Sequence, residues 1–341
     1  MSRPDLSVVI PVYNRGALVR HTLASVRAAS DGLRVETVAV DDGSTVPLSE
    51  DLARMGIAVD RLVRQENCGL LFARLAGLEA AGGRHVLFLD SDDLVSAEKL
   101  RAHVAALDAG ADVSYTDHAG QALADETGPV GPHDPREILP DAASVAHFFL
   151  TIQPPPHSPA FRADYLRARI AAAPFPPSAL YNPVAEIWFY HVCAPYPGRA
   201  VKCPGLALIG RHPGPRLTNQ WEKLAVASLA VQEAFARTAP ADTPESRDAH
   251  ARFAAKAFDS WRRLPTGFSA EFRERQLALF RRSPAAPPLH ELGGKTFRKA
   301  ATLLGPVAAG RLFRLRNGPY SACRTLADAA LVALLARLPS P

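Results

Sequence analysis

The sequence predicts an α/β protein with a doubly wound, mostly parallel sheet and a helical C-terminal extension. Short β-branched runs alternate with helical patterns over the first third of the chain, and the connections between them are short. Helical spacing then dominates the last third of the chain. Repeated strand–helix units favour parallel strands in one sheet with helices on both faces.

The N-terminal elements follow one another in a regular order. Residues 6–12 form a continuous apolar run, typical of a strand that is covered on both faces. Ser96 is the predicted N-cap of a helix that follows the fourth strand. The remaining predicted strands are 35–40, 58–63, 85–89 and 112–116, and the earlier predicted helices are 18–28 and 69–81.

Polar and acidic residues follow three of these strands, at 13–14, 41–42 and 90–93. The carboxyl ends of parallel strands meet at one edge of a sheet, and ligands of doubly wound sheets bind beyond that edge. The sequence therefore predicts one ligand site that these three clusters share.

The middle and the end of the chain have different patterns. Gly and Pro weaken the periodicity between 117 and 159, which predicts a loop-rich insertion. Asn182 followed by Pro183 predicts the start of a helix that ends at Cys193. The further predicted helices are 222–238, 245–264 and 269–282, with weaker ones to 338.

The composition argues against several classes of protein. With 48% hydrophobic and 21% charged residues, the chain is ordinary for a globular protein and unlike a disordered one. It contains no run of 18 apolar residues and no N-terminal signal-peptide pattern, so we expect a cytoplasmic protein. No nucleic-acid-binding module accompanies its basic residues, which argues against a nucleic-acid partner.

The sharpest chemical feature is a set of three carboxylates within four residues, Asp90, Asp92 and Asp93. Such crowding at a strand end costs Coulomb energy unless a cation or several hydrogen-bond donors offset it. Mg²⁺ or Mn²⁺ would offset the charge and would bridge to a diphosphate. The alternative is that Asp90 ends the strand and Asp93 caps the next helix.

Two further clusters could contact a nucleotide. Asp41 and Asp42 close the second strand, where carboxylates can accept hydrogen bonds from a base or from ribose hydroxyls. Arg74 lies one to two turns inside a helix that starts near residue 69, a setting that favours phosphate. The alternatives are a simple Asp-Gly turn and a solvated helix charge.

Four ordered motifs, at residues 8–14, 40–44, 67–74 and 87–93, resemble those of the family 2 glycosyltransferases of the GT-A fold, and the fourth holds an Asp-x-Asp motif. The resemblance covers roughly residues 5–118. It implies inverting, metal-dependent transfer of a hexosyl or N-acetylhexosaminyl group in polysaccharide or glycoconjugate biosynthesis. The donor would be a nucleotide-diphosphate sugar, a UDP-sugar first of all. The acceptor would be a hydroxyl or amine of a sugar, lipid-linked or small molecule.

The resemblance also implies roles for particular residues. Asp92 and His212 would hold Mn²⁺ or Mg²⁺, and Glu186 would be the general base, although it lacks the acidic neighbour usual in the family. Without these roles, Glu186 would complement a helix dipole and His212 would be a surface residue. Asp93, His157 and Trp188 would face the acceptor. The residues implied in donor binding are Pro11, Tyr13, Asp41, Asp42, Arg74, Asp90, Ser91 and Arg211.

The resemblance divides the chain into a nucleotide-sugar-binding half (1–117), an acceptor-binding and catalytic half (118–220) and a helical C-terminal region (221–341). In that last region, seven basic residues and no acidic one lie between 292 and 327. This stretch, chiefly 295–324, could contact the inner face of a membrane, or form a helical cap or homodimer surface.

Two other functions compete with sugar transfer. The first is a nucleotide-sugar-binding module that has lost catalysis, which the altered setting of Glu186 leaves open. The second is a phosphatase of the haloacid dehalogenase type, which also has an Asp-x-Asp after an apolar strand. In such phosphatases that strand opens the domain, whereas here it comes fourth.

Overall fold

The computed structural model describes residues 3–123, 130–212 and 219–339. Within these ranges the strands form one sheet in the order β3-β2-β1-β4-β8-β6-β9-β5, and β7 pairs with β6. The strands are β1 (Leu6–Val12), β2 (Val35–Asp42), β3 (Arg61–Gln65), β4 (His85–Phe88), β5 (Leu94–Val95), β6 (Val113–Leu123), β7 (Val130–His133), β8 (Pro159–Arg162) and β9 (Ala200–Arg211).

Strand β1 is parallel to both β2 and β4, and β2 is parallel to β3. Strand β6 is parallel to β9. Strand β8 joins the two groups because it runs antiparallel to both β4 and β6. The predicted α/β class with a central, mostly parallel sheet is therefore confirmed. Strand β6 crosses residue 117, so the predicted division between the first two units falls inside a strand.

The sheet lies between helices, and a further group of helices follows it. The α-helices are α1 (Val19–Ala29), α2 (Leu48–Met55), α3 (Leu70–Ala80), α4 (Lys99–Asp108), α5 (Val145–His147), α6 (Ala163–Ala171), α7 (Ala185–Cys193), α8 (Trp221–Thr238), α9 (Pro244–Arg263), α10 (Ala270–Arg282), α11 (Lys295–Leu304), α12 (Pro306–Arg314) and α13 (Asp328–Leu335). A π-helix (Phe148–Ile152) continues α5, and short 3₁₀ helices include Ala179–Val184.

Alternate side chains of the central strands point into two different cores. Val9 and Val40 pack in a cluster with residues of α3, α7 and α8. Val8 and Ile10 pack in a second cluster, with residues of α1, α2 and α4. All seven residues of β1 are buried, as a strand covered on both faces requires.

Two predicted helix starts are wrong. Ser96 does not cap α4; its hydroxyl accepts a hydrogen bond from the Leu206 N–H (2.9 Å), and the helix starts at Lys99. Asn182 does not start α7, because it lies in the 3₁₀ helix Ala179–Val184. In both cases a side chain with capping chemistry binds a distant backbone group instead.

The predicted helical C-terminal region is confirmed, with α8, α9 and α10 within one residue of the predicted bounds at each end. Helices α11 and α12 pack on α9 and α10 through a separate cluster that includes Phe258, Trp261 and Phe297. None of the described helices combines the length and the apolar character that crossing a bilayer requires.

Candidate functional site

A cavity of about 460 Å³ lies at the carboxyl ends of the central strands. Its walls bring together the acidic residues that follow β4 and the start of α7, which are about 95 residues apart in sequence. We call it the acidic cavity. The ionisable residues that line it are Arg15, Asp90, Asp92, Asp93, His157 and Glu186.

A buried arginine joins two of these carboxylates. Arg74 of α3 is only 1% exposed; its Nη2 lies 2.7 Å from Asp90 Oδ1, and its Nη1 lies 3.6 Å from Glu186 Oε2. The two carboxylates keep 28% and 27% of their side chains exposed. The alternative of a solvated helix charge for Arg74 is therefore wrong, because its guanidinium is the shared counter-ion of Asp90 and Glu186.

Glu186 has the environment of a tunable acid–base group. Burial raises the pKa of Glu186, the Arg74 charge opposes this rise, and the Asp90 carboxylate adds to it. The net effect is a raised pKa. A carboxylate with a raised pKa that still faces a cavity is a better proton acceptor than an ordinary surface glutamate.

Asp92 lies close to an imidazole contributed by the end of β9. The distance from Asp92 Oδ2 to His212 Nε2 is 2.9 Å, and Arg15 Nη1 lies 3.2 Å from the same nitrogen. Burial raises the pKa of Asp92, and the Asp93 and Asp90 carboxylates raise it further, while His212 opposes the shift. The carboxylates of Asp90, Asp92 and Asp93 thus repel one another at this point of the wall.

Asp92 and His212 could together hold a hard divalent cation that takes its other ligands from a substrate. Among residues 3–123, 130–212 and 219–339, no three His, Cys, Asp or Glu side chains are grouped to hold a metal by themselves. Mg²⁺ commonly takes only one or two ligands from protein side chains and completes its coordination shell with phosphate oxygens and water. Asp92 and His212 suit that mode of binding, and a cation would relieve the carboxylate crowding.

Asp93 fixes the geometry of the same loop. It accepts a hydrogen bond from the Gly210 N–H (2.8 Å), and its Oδ2 lies 2.8 Å from Nδ1 of the buried His157. Gly210 has no room for a side chain, because a Cβ there would lie 1.7 Å from the Asp92 carbonyl oxygen. Asp93 and His157 line the cavity, where the resemblance places acceptor contacts, and Asp93 connects both β9 and the segment before β8 to the acidic loop.

Residues 7–126 match the model of the family described as glycosyl transferase family 2. We call these residues the family 2 segment. It contains the first four strands and the acidic residues that line the cavity after β4. Glu186 and His212 lie beyond the matched segment.

Curated relatives match about a third of this chain or less. The putative glycosyltransferase EpsH of Bacillus subtilis is 36% identical over 98 residues, which is 28% of this chain and 28% of EpsH. The succinoglycan biosynthesis protein ExoO of Rhizobium meliloti is 36% identical over 107 residues, 31% of this chain and 30% of ExoO. The chain thus matches less than a third of the length of either relative.

Solved structures match nearly the whole chain in fold. S. aureus TarS 1–349 in complex with UDP-GlcNAc has a TM-score of 0.62 at 17% identity, covering 95% of this chain and 93% of that one. The mannosyltransferase PcManGT from Pyrobaculum calidifontis, in complex with GDP-Man and Mn²⁺, has a TM-score of 0.53 at 17% identity, covering 93% and 88%. The family 2 segment and the regions after it together therefore have a GT-A fold.

In the family 2 segment, Asp41 and Asp42 hold the loops at the sheet edge. Asp41 accepts hydrogen bonds from the backbone N–H groups of Ser44 and Leu48 and pairs with Arg64 (2.6 Å). Burial opposes ionisation of Asp41, but these partners outweigh it and lower its pKa. The carboxylate oxygens of Asp42 accept hydrogen bonds from Gln65 Nε2 and from the N–H groups of Cys68 and Gly69.

Four other residues expected in donor binding lie outside the wall of the acidic cavity. Pro11 is buried at the end of β1, and Tyr13 follows with half of its surface exposed. The Ser91 carbonyl accepts a hydrogen bond from the Thr22 hydroxyl (3.0 Å). The exposed Arg211 pairs with Asp134 at 2.7 Å.

The expected acceptor contact of Trp188 is wrong. Its side chain is completely buried on α7 and packs edge-on against Phe189, with 5.1 Å between ring centroids. A ring without exposed surface cannot stack on a sugar. An aromatic-rich helix start predicts either a binding platform or a core, and here the core prevails.

Sequence reasoning missed two residues that build the site. Asn182 accepts a hydrogen bond from the Leu71 N–H (3.0 Å) and donates one to the Cys68 carbonyl (2.8 Å), so it ties the start of α3 to the segment before α7. Its capping chemistry was readable from the sequence, but the helix that it caps was not. Arg15 lines the cavity beside His212, and no motif singled it out.

Proposed function

We propose that the protein is an inverting, metal-dependent glycosyltransferase that uses a nucleotide-diphosphate sugar, with a UDP-sugar as the first candidate. The observation that carries the proposal is one cavity whose wall holds both Glu186 and Asp92, with His212 Nε2 lying 2.9 Å from the Asp92 carboxylate. The fold supports it, because similar solved structures hold UDP-GlcNAc in one case and GDP-Man with Mn²⁺ in another.

Glu186 is the proposed general base. Its carboxylate takes the proton from the acceptor hydroxyl or amine as that group attacks the anomeric carbon. The bond from this carbon to the diphosphate oxygen breaks on the opposite face, so the configuration inverts. Arg74, whose Nη1 lies 3.6 Å from the carboxylate oxygen, favours the ionised form of Glu186, while burial still leaves its pKa raised.

Asp92 and His212 are the proposed metal ligands. A bound Mn²⁺ or Mg²⁺ would neutralise charge that develops on the departing diphosphate. Asp90 is proposed to approach the ribose, and Asp41, Asp42, Pro11 and Tyr13 to shape the nucleoside pocket beside it. Arg211 and Ser91 are retained as donor contacts, although neither lines the acidic cavity.

A nucleotide-sugar-binding module without catalysis is the alternative that one observation favours. Glu186 has Ala185 and Ile187 as neighbours, so the acidic pair usual at this position is absent. The phosphatase alternative loses its support, because the strand that precedes Asp90 is the fourth of a family 2 segment.

A nucleotide panel tests donor class and metal dependence together. UDP at 100 times its dissociation constant should stabilise the protein by about 2.7 kcal/mol, which raises the melting temperature of a chain of this length by roughly 4 °C. The shift should require Mn²⁺ and should be lost in Asp92→Asn, while Asp31→Asn, at a fully exposed carboxylate, should keep it. A shift that is the same with and without Mn²⁺ would refute the metal assignment.

We also propose that α11 and α12 contact an anionic membrane surface. Phe297, Ala301 and Ala309 face the protein core, whereas the outer face of the two helices exposes apolar side chains. These are Leu303 (84% exposed), Leu304 (54%), Leu312 (52%) and Leu315 (78%). The basic residues of 295–324 lie among them without an acidic residue before Asp328, a pattern that suits an anionic lipid interface.

Vesicle sedimentation tests this contact. The protein should bind vesicles that contain phosphatidylglycerol and not vesicles of phosphatidylcholine alone, and added salt should weaken binding. The Leu303→Ser, Leu315→Ser double variant should bind at least about tenfold more weakly, because two apolar side chains no longer enter the interface. Ile138→Ser, at an equally exposed residue elsewhere, is the control. A dimer that ignores both vesicle types would show that this face is a homodimer surface instead.

A further inference from the structure

A second cavity, of about 570 Å³, lies among the C-terminal helices. Its walls come from the end of α5, from the π-helix Phe148–Ile152, from α9 and from residues 290–294. We call it the basic cavity, because four of its lining residues carry a permanent or nearly permanent positive charge and only two carry a carboxylate. The charged or titratable lining residues are His147, Arg252, Lys256, Asp259, Arg262, Arg263, His290 and Glu291.

The carboxylates of this wall do not balance its cations. Asp259 forms ion pairs with two guanidinium groups: its Oδ1 lies 2.8 Å from Arg262 Nη2, and its Oδ2 lies 2.7 Å from Arg263 Nε. Arg252 pairs with Asp248 (2.8 Å), which lies outside the wall, and lies 3.5 Å from Glu291. Positive charge therefore remains in excess after every pair is formed.

Lys256 has no close partner in the part of the chain that the structure describes. It lies on α9 and is half-buried, yet its ammonium makes no hydrogen bond or ion pair to any residue within 3–123, 130–212 or 219–339. Burial lowers the pKa of Lys256, Asp259 opposes the shift, and the neighbouring Arg263 adds to it. An anion in the cavity would satisfy the three N–H donors and offset the repulsion from Arg263.

One short segment forms part of both cavities. Leu150 and Thr151 line the basic cavity, and Pro155, Pro156 and His157 line the acidic one. Thr151 and Pro155 are four positions apart in the sequence, so their Cα atoms are at most about 14 Å apart. A single extended ligand of a few sugar or phosphate units could span that distance.

We propose that the basic cavity binds a phosphate group of the acceptor while the acceptor's nucleophile lies in the acidic cavity. This inference rests on the proposed sugar transfer, in which Asp92 and His212 already account for the diphosphate of the donor. The anion of the basic cavity is then a second one, held by the Lys256 ammonium and the flanking arginines. The acceptor class is accordingly a phosphorylated saccharide, not a neutral sugar.

Binding is measured first with pyrophosphate alone, by titration calorimetry in the absence of divalent metal. Lys256→Gln should raise the dissociation constant at least about tenfold, because a charge-assisted contact is lost. Lys299→Gln, at an exposed lysine of α11, should leave it unchanged. An unchanged constant in Lys256→Gln, or an equal rise in Lys299→Gln, would overturn the inference. This titration needs no transferase activity, so its outcome is separate from that of the proposed function.

Kinetics then separate an acceptor phosphate from a free ion. With a saccharide and its phosphate monoester as paired acceptors, Lys256→Gln should raise KM at least about tenfold for the phosphorylated one only, with kcat unchanged. If free inorganic phosphate instead alters the hydrolysis of the donor in the parent and not in Lys256→Gln, the assignment to the acceptor is wrong.

Discussion

Replacing Glu186 with Gln is expected to lower kcat for sugar transfer by about 10²–10⁴-fold. The amide has nearly the same shape as the carboxylate but cannot accept the acceptor's proton. Nucleotide binding should be unaffected, because Glu186 lies on α7 and the proposed donor ligands lie on the strand ends. The melting-temperature shift with UDP and Mn²⁺ should therefore match that of the parent.

The pH dependence gives this prediction a second readout. A general base acts in its ionised form, so kcat/KM should fall as the pH drops through the pKa of Glu186. Burial, opposed by Arg74, raises that pKa above the ordinary value of 4.5, so the acid limb should lie at higher pH than a surface glutamate would give. In Glu186→Gln the residual activity should lack this limb.

A matched control and a contrary outcome follow from the structure. Glu79→Gln changes an exposed glutamate of α3 and should leave kcat and its pH profile intact. A Glu186→Gln variant that turns over as fast as the parent would place the base elsewhere. A parent that binds donor but shows no transfer to any acceptor would favour the binding module.

The sequence correctly predicts the features of the site that depend on local sequence patterns. Strand β1 and the carboxylates from Asp90 to Asp93 follow from apolar periodicity and from residue types at a strand end. Neither needs knowledge of distant contacts. The fold class could be predicted for the same reason, since each strand–helix unit is contiguous in sequence.

The missed features all depend on contacts between distant segments. Asn182 caps a helix more than a hundred residues earlier, and Arg74 pairs with Glu186 across a similar interval. Trp188 is on the buried side of α7 because α8 and the sheet cover it, which helical spacing alone does not show. The sequence predicts a strand at 58–63, whereas β3 spans Arg61–Gln65. The difference arises because pairing with the distant β2 decides where the strand begins and ends.

Arg74→Met should destabilise the protein by about 3 kcal/mol, the second large effect that we expect. Removing one member of a buried ion pair typically costs about 3–5 kcal/mol, because the remaining charge loses its partner. Asp90 and Glu186 each keep about a quarter of their surface exposed, so water relieves part of the cost and the lower figure applies. For 341 residues the melting temperature should fall by roughly 4 °C.

The double variant distinguishes loss of charge balance from loss of packing. Arg74→Met combined with Glu186→Gln removes one of the two unpaired carboxylates, so it should recover part of the lost stability although it alters one more site residue. Arg54→Met, at a two-thirds exposed arginine, should change stability by no more than about 0.5 kcal/mol. If Arg74→Met melts with the parent, the two carboxylates do not depend on Arg74. If the double variant is no more stable than Arg74→Met, the guanidinium matters for its volume in the core and not for its charge.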